Sequence, residues 1–299
     1  MQNEKKKNTI LVPTDFSQVA ENALDHAVQV AKEFGNEICI MHIFEESFIG
    51  SIWGQKNSYK EGLVGQMLQD KLDRMVEDIQ KNHGIKARSV IEAGRIYSAI
   101  IEYAEKEEND IESIVMGTQG ASGMAQIVGS NASRVIAASE VPVVVVKEKQ
   151  YGQGYKNIVL PIDLSLESKQ KVWWAIQLAK KYSSTVHIIA IKLTDEFLMN
   201  RVKANLHQVE EVLEKNGIAC TSKMLADEEY PGNPADDTLQ YAEEINADLI
   251  MIMTQQEKGF TEFIIGSYAQ QIVNKHSSIP VMCITPKQIG FKPDFWTGF

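Results

Sequence analysis

The sequence predicts two tandem α/β domains, each a doubly wound parallel sheet of five strands. The chain has 299 residues, about the length at which a single hydrophobic core stops growing and a chain divides into domains. Short apolar segments alternate with amphipathic helical segments, an order typical of parallel sheets covered by helices on both faces. A set of landmarks also recurs in the second half in the same order, which indicates an internal repeat.

The repeat begins with an apolar segment that ends in Pro-x-Asp-x-Ser, at residues 9–17 and again at 157–165. Each half later carries a Gly-Ser step, and each ends on an apolar strand that follows a proline, Pro142 or Pro280. The glycines and lysines between the halves are typical of a linker. The predicted division is a first domain at 1–147, a linker at 148–154, a second domain at 155–285 and an aromatic tail at 286–299.

Capping residues and periodicity predict the elements of the first domain. Ser17 is a suitable N-cap for a helix that ends at Gly35, a residue placed as a C′ glycine. Gly94 is predicted to open the third helix. The predicted elements are strand 10–12, helix 17–34, strand 38–44, helix 64–82, strand 87–92, helix 94–107, strand 114–116, helix 130–138 and strand 143–146.

The second domain is predicted to repeat this order. Its strands are continuous apolar runs, as expected of parallel strands that are covered on both faces. The predicted elements are strand 157–162, helix 167–182, strand 185–191, helix 196–216, strand 218–225, helix 234–246, strand 248–253, helix 261–276 and strand 280–284.

Charge and composition exclude several classes of function. The net charge of −10 disfavours nucleic-acid binding, which needs a positive surface to neutralise phosphates. No apolar run reaches the ~18 residues of a membrane span, and the N-terminus has no apolar signal core. The three cysteines form no C-x-x-C pair, and the histidines do not cluster, so we predict no metal site. Together these features predict a cytoplasmic protein.

Glycines follow the fourth predicted strand, in Gly117-Thr-Gln-Gly120, and Gly129-Ser130-Asn131 then opens a helix. Glycines let the backbone approach a ligand closely, and the N–H groups and dipole of a helix start favour a phosphate. Glycines after a strand also serve turns and close helix packing, and the sequence leaves both interpretations open. Neither the P-loop pattern nor G-x-G-x-x-G is present.

Asp15 and Asp163 follow the first strand of each half. Such a carboxylate either satisfies the N–H groups of a turn and helix start or lies in the ligand crevice and bonds a base or ribose. The two roles are compatible. His42, at the end of the second strand, is interpreted as a partly buried structural histidine rather than as a general base. No partnered Ser/His/Asp or Cys/His set is apparent, which disfavours dedicated hydrolytic chemistry.

The Pro-x-Asp-x-Ser strand, the Gly-x-x-Gly…Gly-Ser turn and the Val-Pro-Val-Val-Val-Val last strand together resemble the universal stress protein family. The chain is similar to a tandem member, and the resemblance spans nearly all of it apart from the tails. It implies five-stranded parallel sheets with flavodoxin-like or Rossmann-like layering. The ATP-binding branch has G-x2-G, about nine residues and then G-[ST]; here eight residues separate Gly120 from Gly129.

The resemblance implies an ATP site in the first domain, with or without Mg²⁺. By the family's pattern, Asp15 and the backbone near Ile43 hold the adenine and ribose. The residues that would surround the rest of the nucleotide are Pro13, Thr14, Met116, Gly117, Gly120, Gly129, Ser130 and Asn131.

The second half departs from this pattern. Counting back from Gly266-Ser267 places Thr254 at the position of Gly117 and Glu257 at that of Gly120. A carboxylate near a phosphate is repulsive by roughly 1 kcal/mol or more. We therefore expect the first domain alone to bind the nucleotide.

The last strand of each half is an apolar edge that would invite aggregation if it stayed uncovered. The resemblance implies that domains pair through this strand, so we expect the two halves to form a pseudo-twofold pair, and homodimerisation remains open. The aromatic tail either binds a partner or folds back onto an apolar groove of the protein. Its aromatic residues are Phe291, Phe295, Trp296 and Phe299.

Three functions follow from these features. The first is a cytoplasmic stress-response protein that senses an adenine nucleotide and passes its state to an unidentified protein partner. The second is an enzyme such as a slow ATPase, which the lack of a recognisable base or metal ligand disfavours. The third is a stress protein that binds no nucleotide and acts through its surfaces.

Overall fold

A computed structural model describes residues 8–45, 62–118, 129–147, 154–165, 169–191, 195–225, 233–254, 266–275 and 277–286. The chain divides into two compact units, Met1–Gln150 and Tyr151–Phe299. Each unit is an α/β domain with a parallel sheet, as the sequence predicts.

The first unit alternates strands and helices. Its elements are β1 (Thr9–Pro13), α1 (Gln18–Phe34), β2 (Glu37–Glu45), α2 (Leu63–His83), β3 (Ala87–Gly94), α3 (Ile96–Glu105), β4 (Ile111–Gly117), α4 (Ser130–Ala138) and β5 (Val143–Val146). Between α3 and β4 lies a short 3₁₀ helix, Glu107–Asn109.

The strands that the structure describes in the first unit form a parallel sheet in the order β3-β2-β1-β4-β5. This is the doubly wound order, in which the direction of winding reverses between β1 and β4. Leu11, Ile38 and Ile114, on three adjacent strands, are fully buried. The continuous apolar strands thus lie in the core, which leaves the carboxyl ends of β1 and β4 as the natural place for a ligand.

Helix α1 shows how the local sequence fixes an element. The Ser17 hydroxyl accepts a hydrogen bond from the N–H of Ala20 at 3.3 Å, and Gly35 ends the helix in the left-handed conformation with φ 75°. The side that faces the sheet carries small residues, and Ala23 and Ala27 are completely buried. Small residues on this face let the helix axis approach the sheet closely.

The second unit repeats the arrangement. Its elements are β6 (Asn157–Pro161), α5 (Lys171–Tyr182), β7 (Thr185–Ile191), α6 (Glu196–Lys215), β8 (Ala219–Leu225), α7 (Pro234–Glu244), β9 (Leu249–Met253), α8 (Ser267–Asn274) and β10 (Val281–Ile284). Its strands are parallel in the order β8-β7-β6-β9-β10.

One helix start differs from the sequence prediction. Gly94 does not open the third helix, because it continues β3 and pairs with Glu45 of β2. Arg95 is the N-cap of α3, and the helix begins at Ile96. A glycine with φ 139° is compatible with the end of a strand, so the glycine marks where β3 ends rather than where α3 begins.

Some predicted segments lie outside the described residues. These are most of the linker, the aromatic tail from residue 287 onward and the first residues of helices 167–182 and 261–276. Within the described part of the chain, no helix combines the length and the apolar character needed to cross a membrane.

Candidate functional site

The described site residues at the ends of β1 and β4 lie where the winding of the first sheet reverses. Pro13 is the last residue of β1 and Gly117 the last of β4. Met116 precedes Gly117 and is buried. In parallel sheets of this order, ligands lie beyond these carboxyl ends. Gly120 falls outside the described residues.

A tight turn carries the chain from β1 to α1 and presents Asp15. The N–H of Thr14 donates to the carbonyl of Met41 at 2.8 Å, and the Thr14 hydroxyl accepts from the N–H of Phe16 at 3.0 Å. One carboxylate oxygen of Asp15 accepts from the N–H of Ser17 at 3.0 Å. Asp15 therefore satisfies an N–H group of the turn, which is one of the two roles predicted from the sequence. Its side chain is nevertheless exposed beyond the end of β1.

The backbone of Ile43 lies beside the crevice because β2 continues past the end of β1. Pro13, the last residue of β1, pairs with Met41, and β2 runs on to Glu45. In a parallel strand, alternate residues direct their N–H and C=O groups to the same neighbour. Those of Ile43 therefore point to the same side as those of Met41, beyond the end of β1. No backbone partner for Ile43 on this side is found among the described residues.

The start of α4 offers N–H groups on the other side of the crevice. Gly129 is its N-cap, and its own N–H donates to the carbonyl of Thr118 at 2.7 Å. Among the described residues, no side chain caps the helix. Within the described ranges, no acceptor is found for the N–H groups of Ser130, Asn131 and Ala132. Such a helix start, with its positive dipole end, attracts an anion.

Gly117 has a structural reason to be glycine. A Cβ atom added to it would lie 2.8 Å from Cγ1 of Val19 and 3.2 Å from the carbonyl carbon and oxygen of the same residue. The first turn of α1 thus packs directly against the end of β4. This contact supports the packing alternative that the sequence leaves open for the glycines, whether or not a phosphate also approaches.

His42 has the structural role that we expected. Its Nδ1 lies 2.8 Å from the carbonyl oxygen of Thr14, and its ring contacts Phe16 and Phe44 at centroid distances of 4.8 and 5.7 Å. Burial lowers the pKa of His42, opposed by the hydrogen bond to Thr14 and the charge of Asp15. A neutral His42 donates from Nδ1 and fixes the turn that carries Asp15.

The structure also brings Phe16 and Lys71 to this turn, two residues to which no role was assigned from the sequence. Phe16 has a positive φ of 63°, and the ammonium of Lys71 in α2 lies 4.1 Å from the centre of its ring. A cation over an aromatic face is a favourable contact. No local pattern signals it, because Lys71 belongs to a helix more than fifty residues away.

The second domain keeps the turn but changes the end of the fourth strand. Asp163 accepts from the N–H of Ser165 at 2.8 Å, as Asp15 does from Ser17. The sheet register corrects the alignment made from sequence: Gly117 pairs with Val146, and Met253 pairs with Ile284, so Met253 stands at the position of Gly117. Thr254 therefore corresponds to Thr118.

The physical reason for this correction is the length of the loop before the Gly-Ser step. The loop is one residue longer in the second half, so counting back from Gly266 shifts the strand by one position. Glu257 lies outside the described residues. With Met253 at the position of Gly117, the end of the fourth strand still differs between the two domains.

Two successive doubly wound α/β domains, each with an Asp-bearing turn after its first strand, define a tandem α/β protein. The model of the universal stress protein family matches residues 7–147 and again 154–285. The chain therefore belongs to the universal stress protein family, a family of stress-response proteins, as a tandem member with two copies of the domain.

Individual relatives match one half of the chain. Universal stress protein MJ0531 of Methanocaldococcus jannaschii is 34% identical over 144 residues, which cover 46% of this chain and 81% of the relative. Universal stress protein MJ0577 of the same organism is 32% identical over 155 residues, or 47% of this chain and 94% of the relative.

One solved structure resembles the chain over most of its length. The crystal structure of a universal stress protein from Archaeoglobus fulgidus superposes with a TM-score of 0.77 and 24% identity, covering 94% of this chain and 99% of that one. At this identity the likeness establishes the fold.

Proposed function

We propose that the first domain binds an adenine nucleotide, ATP, in the crevice beyond β1 and β4, and that the chain acts as a cytoplasmic stress-response sensor or regulator. The observation that carries the proposal is the start of α4, where the N–H groups of Ser130, Asn131 and Ala132 have no acceptor among the described residues. This group of donors is suited to phosphate oxygens.

The other side of the crevice is suited to a nucleoside. The N–H and C=O groups of Ile43 offer one donor and one acceptor on the same side, a pairing that matches the edge of an adenine ring. The exposed carboxylate of Asp15 is an acceptor for a ribose hydroxyl or an amino group. ATP with Mg²⁺ would thus place its base near β2 and its phosphates at α4.

We expect the second domain not to bind ATP. Met253 occupies the position of Gly117, and its side chain takes up space at the mouth of the equivalent crevice. Tyr268 replaces Asn131 after the Gly-Ser step. Both changes put bulk where the phosphate chain would have to lie.

The rival function is a stress protein that binds no nucleotide and acts through its surfaces. The contact between Gly117 and Val19 supports it, because packing alone accounts for that glycine. The two functions differ in one prediction, the binding of ATP to the purified chain.

Calorimetric titration of the full chain with ATP, with and without Mg²⁺, tests the proposal. Denatured-protein chromatography first checks for nucleotide that is carried through purification. We expect one site per chain. Two equivalent sites would contradict the assignment to the first domain, and no binding together with no carried-over nucleotide would favour the rival.

A matched pair of variants locates the site. Asp15→Asn keeps the oxygen that accepts from Ser17 but removes the charge, so we expect about tenfold or greater loss of ATP affinity. Asp163→Asn makes the same change in the second domain and is expected to leave ATP affinity unchanged. Equal losses in the two variants would contradict a single site in the first domain.

We also propose that the two halves pair through their last strands to give a pseudo-twofold arrangement. Within their own sheets, β5 and β10 are terminal strands, and their residues are entirely apolar. An uncovered apolar edge is an aggregation hazard. In this proposal, the nucleotide-loaded chain passes its state to a protein partner whose binding surface on the chain is not assigned.

A further inference from the structure

The second domain contains a cavity of about 240 Å³ at its own switch point, between the carboxyl ends of β6 and β9. Much of its wall is apolar and comes from the strand ends, including Ile162, Ile189, Ile191 and Met253. The start of α8 forms another side. The cavity lies where the first domain has its crevice, but different side chains line it.

Lys171 is the unusual member of this wall. It lies in the first turn of α5, and only 3% of its surface is exposed. Within the part of the chain that the structure describes, Lys171 has no hydrogen bond and no ion pair. Its counterpart in the first domain, 148 positions earlier, is the fully buried Ala23. The second domain therefore carries a buried cation where the first has a methyl group.

A buried cation without a partner is costly. Removing an ammonium from water carries a penalty of several kcal/mol unless an anion or acceptors compensate it. Burial lowers the pKa of Lys171 to about 8, and the charge of Asp163 opposes this effect. Lys171 thus remains mostly protonated at neutral pH, and an anion in the cavity would add to the partial compensation that Asp163 supplies.

Two further groups can orient such an anion. The start of α8 has no side-chain cap, and no acceptor for the N–H groups of Ser267 and Tyr268 is found within the described ranges. The hydroxyl of Tyr268 lies 2.9 Å from that of Thr238, and both residues line the cavity. The described wall of the cavity therefore combines polar groups with the apolar ends of the strands.

Size and charge narrow the class of ligand. Drug-sized ligands occupy pockets of about 300–1,000 Å³, and a 150 Å³ cavity holds benzene. A cavity of about 240 Å³ fits a compact molecule and is too small for a nucleoside triphosphate. The exposed carboxylate of Asp163 on the same wall disfavours a ligand that carries more than one negative charge.

We propose that the second domain binds a small monocarboxylate with an apolar body, whose carboxylate pairs with Lys171 and whose body lies against the apolar ends of the strands. This site is independent of nucleotide binding in the first domain. Its ligand class follows from the side chains that replace those of the first domain.

Benzoate and hexanoate, with the uncharged benzamide and hexanamide, are the probes for this site. Saturation-transfer NMR and calorimetry of the full chain are expected to detect both acids at millimolar concentrations and to show at least about tenfold weaker binding of the amides. Equal binding of acids and amides, or no binding of either acid, would overturn the proposal.

A pair of lysine variants assigns the site. Lys171→Met keeps an unbranched side chain, shorter by one heavy atom, and removes the charge. Replacing a buried ion by an apolar group is often neutral or stabilising, and we expect this variant to abolish benzoate binding. Lys169→Met is the control, because Lys169 bonds to Gln208 and does not line the cavity. Unchanged benzoate binding in Lys171→Met would refute the assignment.

The pH dependence gives a second readout. Benzoate affinity is expected to fall as pH rises through about 8, since Lys171 then loses its proton. The other titratable groups among the described residues of the wall are Asp163 and Tyr268, and burial raises the pKa of Tyr268 so that it stays neutral. Benzoate affinity that is constant across this range, or displacement of benzoate by ATP, would contradict the proposed site.

Discussion

Replacing Gly117 with alanine tests whether this glycine is required by packing. The added Cβ would lie 2.8 Å from Cγ1 of Val19 and 3.2 Å from the carbonyl carbon and oxygen of Val19. Carbon atoms in ordinary contact are about 3.5–4.0 Å apart. Because two of the three contacts are with backbone atoms, a rotation of the Val19 side chain cannot relieve them, and α1 must move away from β4.

Overpacking of this kind costs about 1–3 kcal/mol. The cost falls on the first unit, since both residues belong to it. A change of this size in the free energy of local opening raises the opening equilibrium constant by about 5- to 150-fold. The protection of amide protons in α1 and β4 is expected to fall by the same factor. Because the clash needs no ligand, the effect is expected equally in the nucleotide-free protein.

Hydrogen–deuterium exchange with mass spectrometry measures this effect region by region. Peptides from the second unit serve as the internal reference. Gly129→Ala is the matched control: its Cβ would lie 3.4 Å from the carbonyl oxygen of Thr118, an ordinary contact, and we expect a change within about 1 kcal/mol.

A second variant separates the contacts. Val19→Ala removes the Cγ1 atom at 2.8 Å and leaves the backbone contacts at 3.2 Å. In the double variant with Gly117→Ala, we expect part of the lost protection to return. Unchanged exchange in Gly117→Ala, or a loss as large in Gly129→Ala, would refute the packing explanation.

Three other predictions concern folding and assembly. Burial lowers the pKa of His26 to about 3, so between pH 6.5 and 3 the unfolded chain binds a proton that the folded chain does not. The free energy of unfolding is therefore expected to fall by up to about 1.4 kcal/mol per pH unit as pH drops from about 6.5 towards 3. His26→Leu is expected to flatten this dependence in urea titrations, and an unaltered slope would count against it. Ser17→Ala removes the hydroxyl that caps α1 and is expected to cost about 0.5–2 kcal/mol in the same titrations, whereas Ser17→Thr, which keeps a hydroxyl, is the control. Val144→Lys places a charge on the terminal strand β5, and if the halves pair through this strand, small-angle scattering is expected to give a larger radius; an unchanged radius and stability would argue against the pairing.

Local sequence predicted the turn and the helix cap beside the candidate site of the first domain. Asp15 and Ser17 are a turn and an N-cap within three positions of each other, and the structure confirms their hydrogen bonds. Asn131 likewise stands in the first turn of a helix that follows a glycine. Caps and turns of this kind depend on neighbours in the chain, so a short pattern is enough to predict them.

Two positions, Gly94 and the counterpart of Gly117 in the second domain, were predicted wrongly from the sequence. Gly94 has the residue type of a turn, yet it pairs with Glu45 because β2 extends far enough to hold it. Met253, rather than Thr254, takes the position of Gly117 because the loop that follows it is one residue longer than in the first half. The pairing of the strands reveals this difference in loop length. In both cases the outcome depends on a neighbouring strand that is distant in sequence.

The sequence by itself determined the tandem repeat and the alternation of strands and helices, because apolar periodicity and capping residues are local and recur in both halves. The resemblance to a stress-protein family likewise came from short motifs that recur in order. Only the tertiary structure decided the order of the strands, the contact of Gly117 with Val19 and the burial of Lys171. In the sequence, Lys171 is one more lysine in an amphipathic helix. Its surroundings come from strands and helices far along the chain, so only the folded domain could place it in a cavity.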